Sequence, residues 1–108
     1  MSNQSEVEVT LVNLFTVKPE QQQSAASKIA EIYRTTVSHQ PGFISAKIHK
    51  SLEGDRVVAI ARWKSELNLK AMQQTPEFQN SLAILKGEIV SAEPHIFEVM
   101  YEVEKDAS

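Results

Sequence analysis

Residues 43–64 read FISAKIHKSLEGDRVVAIARWK, and this stretch decides the plan of the molecule. From Phe43 to Lys50, Ile44, Ala46 and Ile48 alternate with Ser45, Lys47 and His49, the period of a β-strand. Ser51-Leu52-Glu53-Gly54-Asp55 has the composition of a hairpin connection. From Arg56 to Lys64, Val57, Ala59, Ala61 and Trp63 share one face and Val58 and Ile60 the other. The middle of the chain is therefore an antiparallel pair of strands.

Upstream, residues 7–17 are rich in β-branched types, with Val7, Val9, Leu11, Asn13, Phe15 and Val17 on one face of a first strand. The opposite face turns apolar at Val12 and Leu14, so both faces should be covered. Lys18-Pro19-Glu20 opens a helix, with proline in the first turn where its missing N–H costs nothing. Ala26, Ile29, Tyr33 and Val37 form its apolar stripe, predicting a helix to about residue 39, and Pro41-Gly42 stops it. Downstream, Ser65 caps a helix carrying Leu67, Leu69, Ala71 and Met72. Thr75-Pro76-Glu77 restarts one whose stripe is Phe78, Leu82, Leu85 and Ile89. Pro94 to Val103 reads as a last strand, with Phe97, Val99, Tyr101 and Val103 on one face.

The order is β-α-β-β-α-β, an α+β, ferredoxin-like plan in which a four-stranded antiparallel sheet carries helices on one face. Residues 7–104 form the domain, flanked by a disordered N-terminus over 1–6 and a frayed end over 105–108. The uncovered sheet face holds Val12, Leu14, Ile44, Ile48, Val58 and Ile60. So wide an apolar face is unusual on a monomer, and two such sheets packed face to face predict a homodimer with two-fold symmetry.

Composition narrows the function. The chain has 108 residues, enough for one core and no second domain. Eleven Lys and Arg stand against 14 Asp and Glu, a net charge of −3 that argues against binding the phosphate backbone of nucleic acid. No cysteine is present, which excludes disulfides, thiolate catalysis, zinc fingers and cysteine-held iron–sulfur clusters. No run approaches the ~18 apolar residues that span a bilayer, and no export signal is visible, so the expected location is cytoplasmic. His39, His49 and His95 make no metal-ligand pattern, so no metal site is expected.

Polar residues on apolar faces are the informative ones. Asn13 sits between Leu11 and Phe15, where an unpaired buried amide costs about 1–3 kcal/mol. Its side chain is either satisfied by neighbouring backbone or held for a substrate oxygen and its developing negative charge. Trp63 ends the third strand on the face of the small Ala59 and Ala61, leaving room for a pocket between sheet and helices, or else it is plain core. Tyr33 and Tyr101 are candidates for a pocket hydroxyl.

Gln40-Pro41-Gly42-Phe43, Leu52-Glu53-Gly54-Asp55, and Arg62-Trp63-Lys64-Ser65-Glu66 followed by Thr75-Pro76-Glu77-Phe78 resemble the antibiotic biosynthesis monooxygenase family of dimeric α+β barrel proteins. The resemblance runs from about Thr10 to Val103. It implies oxidation of a small aromatic, quinol or polyketide-like metabolite by O2 without metal, flavin or other cofactor. It also implies a pocket lined by the first-strand Asn and the Trp of the third strand, which map onto Asn13 and Trp63 as catalytic residues. Phe15, Tyr33, Met72, Phe78 and Leu82 are the expected substrate-binding set. The chain departs from the pattern at Met72 and Glu77, where many members carry His. A haem-degrading branch suggests the alternative of a haem- or hydrophobic-ligand-binding protein, although Phe78–Leu82 offers no histidine to hold iron.

Overall fold

A computed structural model describes residues 7–106. The expected disorder of residues 1–6 and of the last two residues lies outside them. Four strands, β1 (Val9–Val17), β2 (Phe43–Lys50), β3 (Arg56–Trp63) and β4 (Ile89–Phe97), form one antiparallel sheet in the order β2-β3-β1-β4. Three helices, α1 (Gln22–Thr35), α2 (Glu66–Gln73) and α3 (Pro76–Leu82), connect them. The ferredoxin-like α+β plan expected from the pattern is the one observed. Among the described residues no helix is long and apolar enough to cross a membrane.

Local chemistry sets the boundaries. The α1 stripe is Ala25, Ala26, Ile29 and Ile32, all buried. The helix stops at Thr35, short of the expected residue 39, and Val37–His39 forms a separate tight turn. Pro41 and Gly42 then turn the chain, with the Phe43 N–H donating to the Gln40 carbonyl at 3.3 Å. Gly42 takes a φ of +86°, and a Cβ there would collide with the Asn68 side chain. The β2–β3 hairpin is fastened by Gln22, whose Nε2 donates to the Ser51 and Arg56 carbonyls, both at 3.0 Å. Ser65 caps α2 by accepting from the Asn68 N–H at 3.1 Å, and Thr75 caps α3 by accepting from the Phe78 N–H at 3.2 Å.

The last strand differs most from expectation. It spans Ile89–Phe97 rather than Pro94–Val103, so Ile89 belongs to a strand and not to the helical stripe. Gly87, with φ +92°, ends the helical region, and β1 dictates the rest. Register runs from Val17↔Ile89 to Thr10↔Phe97, so beyond Phe97 only Val9 of β1 remains to pair with. Val99, Tyr101 and Val103 therefore lie outside the ladder and are exposed.

The core lies between sheet and helices. Val9, Leu11, Phe15 and Val17 of β1 and Val57, Ala59, Ala61 and Trp63 of β3 point into it. Ile48, expected on the open face, pairs with Ala59 and packs against this core. The opposite face carries Val12, Leu14, Val58 and Ile60 at its centre; Leu14 is 37% exposed.

Candidate active site

A cavity of about 240 Å³ lies between the inner face of β1 and β4 and the helical layer. Asn13 and Phe15 reach it from β1, Tyr33 from α1, Met72 from α2, and Phe78 and Leu82 from α3. Every residue expected to bind substrate thus borders one space. Ala92 and Pro94 of β4 border it as well and remain exposed, so its mouth opens along that edge strand.

The walls are apolar apart from Asn13, Tyr33 and Gln73. Asn13 stands on the central strand, opposite Ala59 on one side and Pro94 on the other. A methyl group and a pyrrolidine ring offer its side chain no hydrogen-bonding partner. Its Oδ1 is shielded from solvent and has no partner among the described residues. Of the two alternatives for this amide, neighbouring backbone does not satisfy Oδ1. Native proteins rarely leave such atoms unpaired, because each costs about 1–3 kcal/mol.

Burial pushes the Tyr33 hydroxyl up to about 12, since a phenolate there would lose its hydration. Tyr33 is therefore a neutral donor at physiological pH. Gln73, the last residue of α2, was not singled out by sequence. Its polarity breaks no apolar pattern there, and only the packing of α2 against α3 turns it toward the cavity.

Trp63 is fully buried, meeting Phe43 edge-on with ring centroids 5.4 Å apart. It pairs with Val9, whereas Asn13 pairs with Ala59, so about 13 Å of strand separates the two levels. Trp63 does not border the cavity that holds Asn13. The room expected above Ala59 and Ala61 is filled, for both are fully buried in one core cluster with Ile29, Ile32 and Leu69. The open space lies instead over β1 and β4. The Trp63 indole N–H is likewise buried without an acceptor.

No histidine borders the cavity, and among the described residues no cluster of His, Asp or Glu could hold a metal ion. His95 instead lies 3.2 Å from the Glu93 carboxylate.

The profile of the antibiotic biosynthesis monooxygenase family matches residues 8–83, a span that contains β1, the β2–β3 hairpin and all three helices. Tetracenomycin-F1 monooxygenase of Streptomyces glaucescens is 40% identical over 70 residues, covering 65% of this chain and 62% of that enzyme. Among solved structures, SnoaB, a cofactor-independent oxygenase from Streptomyces nogalater, has a TM-score of 0.74 at 24% identity over 92% of this chain and 99% of its own. A conserved protein from Methanosarcina mazei gives the same TM-score, 0.74, at 22% identity over 88% and 95% of the two chains. Profile, relative and topology agree with the residues that first suggested it: the chain belongs to the antibiotic biosynthesis monooxygenase family.

Proposed function

We propose that this protein is a cofactor-independent monooxygenase that oxidises a small phenolic or quinol-type metabolite with O2 in the Asn13 cavity. The observation that carries the proposal is the unpartnered Asn13 Oδ1 in a chamber whose walls are otherwise apolar except at Tyr33 and Gln73. A substrate O–H donates to that oxygen; once its proton has passed to water at the cavity mouth, a half-turn of the amide presents an N–H to the phenolate, and a proton returns from that water to the peroxide oxygen formed later. Tyr33, held neutral, supplies a second donor. Phe15, Met72, Phe78 and Leu82 exclude water and hold the ring, which strengthens both polar contacts. Trp63 acts from behind, anchoring the end of β3 against Phe43 rather than touching the substrate.

The electron-rich phenolate gives one electron to O2, and the two radicals combine to form a ring C–O bond. Loss of the ring proton and cleavage of the O–O bond release water and leave a quinone. Phenol plus O2 becomes quinone plus water, and the substrate supplies all four electrons. The relatives named as a monooxygenase and as a cofactor-independent oxygenase support this class of reaction. Cavity size bears on the substrate: a protein cavity of about 150 Å³ admits benzene, so about 240 Å³ suits a substituted ring or a fused pair, with larger parts emerging past Ala92 and Pro94. The haem-binding alternative finds no histidine in the cavity.

We assign the outer sheet face, centred on Val12, Leu14, Val58 and Ile60, to a two-fold homodimer. The test of the reaction is oxygen uptake with a panel of quinols under metal-free conditions. The proposal expects uptake well above background for the wild type and loss of that excess in Asn13→Ala. Equal rates for the two proteins would remove its support.

A further inference from the structure

The reaction proposed above has two substrates, and the chamber's mouth at Ala92 and Pro94 serves the larger one. O2 must still reach the phenolate when that mouth is occupied. Toward the opposite edge of the sheet, α1 and β2 enclose a separate groove of about 350 Å³. Phe43, Ala46 and Ile48 of β2 and Ala30 of α1 give it apolar walls, and Arg34 and Ser38 stand at its rim.

Tyr33 is the one described residue that borders both spaces. The turn of the helix explains how. Ile29 and Ile32 reach the chamber, Ala30 and Arg34 reach the groove, and at about 100° per residue position 33 falls between the two pairs. Beside Tyr33 the sheet is sealed by core: Ala59 and Ala61 are fully buried, and Ile48 packs against their cluster. The polar rim of the groove is already engaged, since Ser38 Oγ donates to the Arg34 carbonyl at 2.8 Å and the Arg34 guanidinium pairs with Glu31. Such a groove suits a small apolar guest, which gains by leaving water.

We propose that this groove is the entrance for O2, which passes the Tyr33 side chain into the chamber while the aromatic substrate occupies the mouth at Ala92 and Pro94. Tyr33 is the gate, because a swing of that one side chain joins the two spaces. The two substrates then enter from opposite sides, and the phenolate can be in place at Asn13 before O2 arrives. The proposal rests on the reaction proposed above and adds the path of its second substrate.

Trp63 is the chain's only tryptophan, and it meets Phe43, a wall of the groove, edge-on with ring centroids 5.4 Å apart. It does not border the chamber. Oxygen quenching of its fluorescence therefore reports O2 arriving through the groove and needs no turnover. Ala30→Phe fills the groove from an exposed helix position, and Ala46→Leu fills it from β2. The proposal expects the bimolecular quenching constant to fall about twofold or more in these variants, as blocked passage through a close-packed interior requires. It expects oxygen kcat/KM to fall with it, KM for the quinol to stay at the wild-type value, and quenching in Ala92→Phe to match wild type. Wild-type quenching in both groove variants, an equal fall in Ala92→Phe, or an unchanged oxygen kcat/KM where quenching has fallen overturns the passage. A wild type that takes up no oxygen with any quinol overturns the reaction instead, and the quenching comparison still decides the entrance.

Discussion

Replacing Asn13 by leucine should abolish turnover and make the protein more stable. The amide oxygen pays for its desolvation without a hydrogen bond, a cost of about 1–3 kcal/mol for a fully buried group. Asn13 is only partly buried and borders a cavity, so the lower end applies, about 1 kcal/mol. Leucine has nearly the same shape, carries no polar atom, and adds apolar contact with Phe15 and Leu82 across the chamber. For a domain near this size, about 1 kcal/mol moves the melting temperature upward by about 4–8 °C. The assay pairs thermal and urea unfolding with oxygen uptake on one preparation. A residue kept for the fold would behave oppositely, and a loss of about 1 kcal/mol or more in Asn13→Leu, or wild-type oxygen uptake, would refute the reasoning.

Three further outcomes follow from individual contacts. Because burial raises the folded-state value of Tyr33 to about 12, above the ~10 of an unfolded chain, its contribution is intact below pH 10 and lost as pH climbs toward 12. Wild type should therefore lose up to about 3 kcal/mol more than Tyr33→Phe across that window, measured by urea unfolding at each pH; identical slopes would contradict the burial argument. Gly42→Ala should destabilise by about 1–3 kcal/mol from its left-handed backbone alone, and adding Asn68→Ala should recover only the part due to the side-chain collision. Ala92→Phe places a ring at the cavity mouth on an exposed position, so stability should stay within about 0.5 kcal/mol while KM for the active quinol rises at least severalfold.

Local signals carried most of the fold. Period-two alternation placed β2 at Phe43–Lys50, and Ser65 and Thr75-Pro76 marked both helix starts through caps that the structure contains. The last strand escapes a local reading because its limits are not local. Ile89 fits a helical stripe and Val99–Val103 fits a strand, yet β1 supplies partners only for Ile89–Phe97. Ile48 misled for a related reason: an irregularity between Phe43 and Ser45 shifts which residues face inward.

The candidate site was legible where chemistry was anomalous. An amide among Leu11 and Phe15 breaks an apolar face, and that break pointed to Asn13. Trp63 shares the face but not the level, a distinction that depends on register and cannot be read from either strand alone. Gln73 was invisible for the same reason, since only the way α2 and α3 close over β1 brings it to the cavity.

The central claim is that the chamber takes a phenolic oxygen at Asn13 and favours its anion. Titrating 4-nitrophenol, whose phenolate is coloured, with wild type and Asn13→Leu across neutral pH tests it without turnover. The account predicts saturable binding by the wild type with the ligand's ionisation shifted to lower pH, and no such shift in Asn13→Leu. Binding of the neutral phenol alone, or the same shift in both proteins, would contradict it.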